Sequence, residues 1–217
     1  MPGRLKDPVS GLTHALGAVL SVAGLMVLVY AACTRASGRH VAVFAVFGAG
    51  LVLAYTASTL YHLLPLGPSG SRLLRRIDHI MIFVLIAGTY TPVCVLALGG
   101  PWGWSLLACV WGLVVVGAVL KLVWLQAPRW LSVSLYLFMG WLVVVAIWPL
   151  YHALPPGALG WLAAGGLLYS AGALIYAIKR PNFLPGLVGF HELFHLLVMG
   201  GSLSHFWLMY RYIMNLG

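Results

Sequence analysis

GWSLLACVWGLVVVGAVLKLVWL, residues 103–125, carries one charge, Lys121, in more than five helical turns of apolar side chains. About 20 such residues reach across the roughly 30 Å hydrocarbon core of a bilayer, and only a helix or a closed barrel satisfies its own backbone there. The stretch therefore predicts a membrane-spanning helix. Six others read the same way: Gly11–Ala32, Val41–Leu63, Ile77–Leu98, Trp130–Leu150, Leu159–Ile178 and Leu187–Tyr210. The fold expected is all-α, a polytopic bundle of seven transmembrane helices forming a single domain over residues 1–217.

Composition excludes the main alternative. With 62% hydrophobic and 7% charged residues, the chain has too little polar surface to clothe a water-soluble globule. A net charge of +9 would suit nucleic acid, but Lys and Arg fall almost entirely in the short links between apolar stretches. There they act as topology signals, and no nucleic-acid partner is expected. Placing the N-terminus in the cytoplasm puts Arg4, Lys6, Arg72, Arg75, Arg76, Lys121, Arg129, Lys179 and Arg180 inside, against Arg35, Arg39 and Arg211 outside. The C-terminus then lies outside.

Cys33, Cys94 and Cys109 show no C-x-x-C spacing, and Cys94 with Cys109 is the one pair with a disulfide possibility. The run ending Ala31-Ala32-Cys33 faintly resembles a lipoprotein cleavage site, but Tyr30 fits it poorly and the segment is kept as a span. Gly165-Gly166, Gly172 and Gly200-Gly201 suit close helix contact.

Only three acidic residues occur, and two of them, Asp78 and Glu192, sit beside histidines at the mouths of spans. A carboxylate near hydrocarbon is expensive and marks a functional site. In His191-Glu192-Leu193-Phe194-His195 a four-residue step stacks two imidazoles on one helix face, roughly 6 Å apart along the axis. The second span ends Ser58-Thr59-Leu60-Tyr61-His62, and the third opens Ile77-Asp78-His79. The charge rule thus brings His62, Asp78, His191 and His195 to one membrane depth at the cytoplasmic side.

Imidazoles with a carboxylate and solvent access are the parts of a catalytic zinc site, which keeps one position for water. Zinc lowers the pKa of such a water to about 7, and a neighbouring carboxylate can carry its proton to a leaving group. Glu192, 100° around its helix from His191, can face the metal or a neighbouring helix. His79 reads as a supporting or packing residue, and His14 has the right depth but no paired motif. His40, His152 and His205 belong to the outer half. The H-E-x-x-H pattern also admits an intramembrane protease with Glu192 as its base.

At these residues the chain resembles the hemolysin III family, the bacterial branch of the progestin and adipoQ receptor superfamily. The resemblance rests on Ser58-x-x-x-His62, Arg75-Arg76-Ile77-Asp78-His79 and Gly189-Phe190-His191-Glu192-Leu193-Phe194-His195, with Thr13-His14 and Ser204-His205-Phe206-Trp207 in support. It implies zinc held by His62, His191 and His195 at the cytoplasmic side of a bacterial plasma membrane, with Asp78 and Ser58 close to the zinc-bound water. It further implies a membrane lipid as substrate, since related receptors are associated with ceramide hydrolysis and the superfamily with lipid amides or esters. The family label implies a membrane-lytic or pore-forming protein as the alternative, and a non-enzymatic role in lipid or energy homeostasis is a third. The short lead before the first span argues against a hormone-binding ectodomain of the receptor kind.

Overall fold

Proline opens four of the helices, because its missing N–H costs nothing in a first turn and its fixed φ already suits a helix. In the computed structural model, which describes residues 6–183 and 189–216, α1 (Pro8–Arg35), α3 (Pro68–Leu98) and α6 (Pro156–Ile178) begin on proline, and α4 (Gly100–Val123) carries Pro101 in its first turn. The remaining spans are α2 (Gly38–Leu63), α5 (Arg129–Ala153) and α7 (Phe190–Asn215). All seven are long and apolar enough to cross a membrane, and no strand occurs among the described residues. The architecture is a seven-helix membrane bundle. Arg4, used in the charge count, and Leu187, expected to open the last span, lie outside the described residues.

One boundary differs substantially from the sequence reading. The third span begins at Pro68 rather than Ile77, so most of the link expected between Leu63 and Ile77 is helical. Arg72, Arg75 and Arg76 are good helix formers, and their long apolar stems let a helix carry them at its polar end. Hydropathy undercounts such a turn because it scores the charge and not the stem.

Around the bundle α1 packs on α2, α2 on α3, α3 on α4, α6 on α7, and α7 returns to α1; α5 leans against α3 and α6. Glycines set the tightest crossings. A Cβ on Gly88 would stand 3.3 Å from the Val46 carbonyl, and one on Gly201 would stand 2.9 Å from the Tyr169 ring. Without a hydrophobic force between helices in lipid, such close contact of backbone and side chains supplies the packing. Leu12, Val19, Val115 and Val123 face outward, where hydrocarbon replaces the water that would otherwise penalise them.

Helix α5 is broken. Past Gly140 it tightens into a short 3-10 stretch, Leu142–Ala146, which strands backbone groups. The Tyr90 hydroxyl meets them, lying 3.0 Å from the Met139 carbonyl and 2.7 Å from the Gly140 carbonyl and accepting from the Val143 N–H at 2.8 Å. Trp141 Nε1 donates to Ser170 Oγ at 2.9 Å, tying the break to α6. This bent wall leaves room inside the bundle for a cavity of about 710 Å³. All three cysteines are free thiols, so the Cys94–Cys109 pairing is not made.

Candidate metal centre

Two helix ends converge on one wall of that cavity. His62 from the last turn of α2 and His191 and His195 from the first turns of α7 each turn a ring nitrogen inward, and these donor atoms all lie within 4.8 Å of one another. The two α7 histidines share a face because they are four residues apart, so their ring centroids are 4.5 Å apart. His62 and His195 are buried, while His191 is half-buried and closes the group on the open side.

The hydrogen bonds select which nitrogen faces inward. His62 Nδ1 stands 3.3 Å from Asp7 Oδ2, so Nδ1 carries the proton and Nε2 is left with a lone pair. His195 Nδ1 lies 3.1 Å from the Ser10 carbonyl, which can only accept, so its Nε2 is likewise unprotonated. A carboxylate or carbonyl that takes the outer N–H and aims the inner nitrogen is the usual support of a metal-binding imidazole. His62 Nε2 and His191 Nε2 are 3.2 Å apart. Two nitrogens bound tetrahedrally at about 2.0–2.1 Å from one ion would be about 3.3 Å apart. The cluster can hold a metal ion, and its all-nitrogen donor set suits zinc among other transition metals.

Asp78 and Ser58 line the same cavity, but neither belongs to the converging set of three. Asp78 lies beside Ser58, and Ser58 Oγ is 2.7 Å from His14 Nδ1. His14 is more intimately placed than its sequence suggested. Its ring stacks on His195 with centroids 3.5 Å apart, and its buried Nε2 has no hydrogen-bond partner.

Glu192 turns to a neighbouring helix. Oε1 accepts from Ser10 Oγ at 2.5 Å and Oε2 from the Gly189 N–H at 2.8 Å, so the carboxylate caps the start of α7 and pins it to α1. This disfavours a metalloprotease reading, which needs that carboxylate as a base at the metal. His79 lines the cavity with Nδ1 unpartnered. His205 reaches the far end of the same cavity, where Nε2 stands 3.2 Å from the Leu162 carbonyl. His40 is held by Ser37 at 2.9 Å, and His152 packs against Trp148; neither joins the cluster.

Asp7 is the residue that sequence reasoning passed over. Beyond its side-chain bond to His62, its N–H donates to the His62 carbonyl at 2.9 Å, while Lys6 sits 3.6 Å above the Tyr61 ring. The available signal was its rarity: it is the third of only three acids and stands at the start of the first span.

A seven-helix membrane bundle with a histidine cluster near one end of its helices defines a class of integral membrane protein. Comparison with known proteins agrees, since residues 3–206 match the family described as Haemolysin-III related, and the chain belongs to it. It is 37% identical over 205 residues to Hemolysin-3 of Bacillus cereus, covering 94% of this chain and 90% of that one. It is 36% identical over 203 residues to the Hemolysin-3 homolog of Bacillus subtilis strain 168, covering 94% and 92%. A more distant relative is the human monocyte to macrophage differentiation factor, 23% identical over 172 residues, covering 77% and 69%. It is thus a hemolysin III-type multi-pass membrane protein, which in bacteria resides in the plasma membrane.

Proposed function

We propose that this chain is a zinc-dependent hydrolase of acyl-lipid amide or ester bonds, working from the cytoplasmic face of the membrane. The observation that carries the reading is the convergence of His62, His191 and His195 on the wall of a cavity inside a lipid-embedded bundle. The cytoplasmic placement is supported by the excess of Lys and Arg at the helix ends near the cluster.

The three imidazoles would hold the zinc through inward-facing nitrogens. Zinc in such a site supplies Lewis acidity, polarising a carbonyl and making water acidic near neutral pH. The remaining chemistry belongs to the chain. Asp78 takes the proton of the attacking water at a carboxylate oxygen, the water oxygen bonds to the acyl carbon, and the C–N or C–O bond breaks. Asp78 then returns that proton to the leaving amine or alcohol. Ser58, bonded to His14, fixes a hydrogen-bonding hydroxyl beside Asp78 and orients the water. The products are a fatty acid and the deacylated lipid.

Metal analysis of the purified wild type and His191→Ala, coupled to turnover of labelled ceramides and phospholipids, tests the reading. One zinc per chain, lost with turnover in the variant, is expected; zinc without hydrolysis of any lipid would leave a structural or regulatory site. A membrane-lytic role draws support from the name of the Bacillus cereus relative. Lysis of red cells by His191→Ala at the wild-type level would separate lysis from the metal site.

A further inference from the structure

Charge on the cavity wall is unbalanced. Arg75, Lys121, Arg129 and Lys179 line it against a single carboxylate, Asp78. The other two acids are committed elsewhere, Asp7 to His62 and Lys6 and Glu192 to Ser10 and Gly189. Lys121 is the extreme case. Although it stands near the end of α4, it is 1% exposed, and its ammonium donates to the Ser132 hydroxyl. A lysine ammonium has three N–H donors, so one hydroxyl does not satisfy it. Among the described residues no carboxylate stands within ion-pair distance of Lys121 or Arg75. Arg75, which is exposed, lines the same cavity as Lys121 and His79, and the buried Nδ1 of His79 also lacks a partner.

A full charge held away from water is costly unless a counter-charge meets it. Topology signalling does not account for Lys121, because a basic residue serving that purpose extends into the interface rather than into the bundle. The deeper wall, including Ile82, Leu85, Ile86 and Val198, is apolar and suited to acyl chains. Asp78 lines the same cavity, so the cationic group shares a wall with the carboxylate assigned to the reaction.

We propose that Arg75, His79 and Lys121 form a subsite for a phosphate-bearing headgroup, so that the lipid taken by this chain is anionic rather than neutral. The proposal rests on the reading of the cavity as a lipid site. Phosphate offers several acceptor oxygens, enough for the ammonium, the guanidinium and the imidazole together.

The test compares binding of matched lipids that differ only in phosphate, ceramide 1-phosphate against ceramide and phosphatidic acid against diacylglycerol, to purified zinc-containing protein. Displacement of a fluorescent lipid reads binding separately from turnover. Charge-assisted hydrogen bonds predict at least about tenfold tighter binding of the phosphorylated member of each pair. Lys121→Gln should erase most of that preference and Lys121→Arg retain it, both with zinc content unchanged. Equal binding of the paired lipids by wild type overturns the subsite even if the Lys121 variants fail to fold, and so does a preference that survives Lys121→Gln. Should inorganic phosphate displace phosphatidic acid at the concentration where that lipid itself binds, the cluster serves free phosphate and the headgroup assignment falls. Turnover of lipids without phosphate preference would remove the subsite and keep the hydrolase; phosphate preference without turnover of any lipid would do the reverse.

Discussion

Asp7 grips His62 twice, its carboxylate 3.3 Å from Nδ1 and its backbone N–H bonded to the His62 carbonyl at 2.9 Å. The entry of the first helix thereby fixes the ring orientation of a histidine at the end of the second. Asp7→Asn keeps the shape but weakens the acceptor. Loss of such a supporting partner reduces metal affinity by about 10–100-fold. Zinc competition with a graded series of chelators should show that loss, and unchanged retention would reduce Asp7 to a surface contact.

Two carboxylates at the same end of the bundle should respond differently to amidation. Asp78→Asn removes the assigned proton acceptor, and turnover should fall by about 10²–10⁴-fold with zinc retained. Glu192→Gln keeps an oxygen for the Gly189 N–H, so turnover should stay near the wild-type rate. The reverse pattern in a hydrolysis assay would move the base to Glu192.

Tyr90 is the keystone of the break in α5. Tyr90→Phe removes the acceptor of the Val143 N–H and the hydroxyl donor beside the carbonyls of Met139 and Gly140. Leaving buried polar groups unmet costs about 1–3 kcal/mol. Thermal unfolding in detergent should show a lowered midpoint, and an unchanged one would mean other groups satisfy the break.

Adjacent glycines of α6 should differ sharply in tolerance. A Cβ on Gly165 would enter the His205 ring, whereas one on Gly166 meets nothing within 4 Å. Overpacking of this kind costs about 1–3 kcal/mol. Gly165→Ala should destabilise the protein by that order in a detergent unfolding series, while Gly166→Ala should be nearly silent.

The seven spans were legible in the chain because hydropathy over about 20 residues is a local property, and bilayer thickness converts it directly into a helix. The four-residue step from His191 to His195 was legible for a similar reason, since helical geometry alone puts both rings on one face. Where local chemistry offered no unique answer, the tertiary structure decided. Glu192, free by sequence to face metal or protein, is turned away by Ser10, 182 positions distant. His14 looked peripheral until the packing of α1 on α7 stacked it on His195. Lys121 counted as an ordinary interfacial charge, yet the contacts of α4 with α3 and α5 enclose it. Asp7 had no local motif, and its partner lies 55 residues away. Periodicity and hydropathy report what a side chain does to its own helix. Which nitrogen is free, which carboxylate is occupied and which charge is buried depend on distances between helices, and those exist only once the bundle has closed.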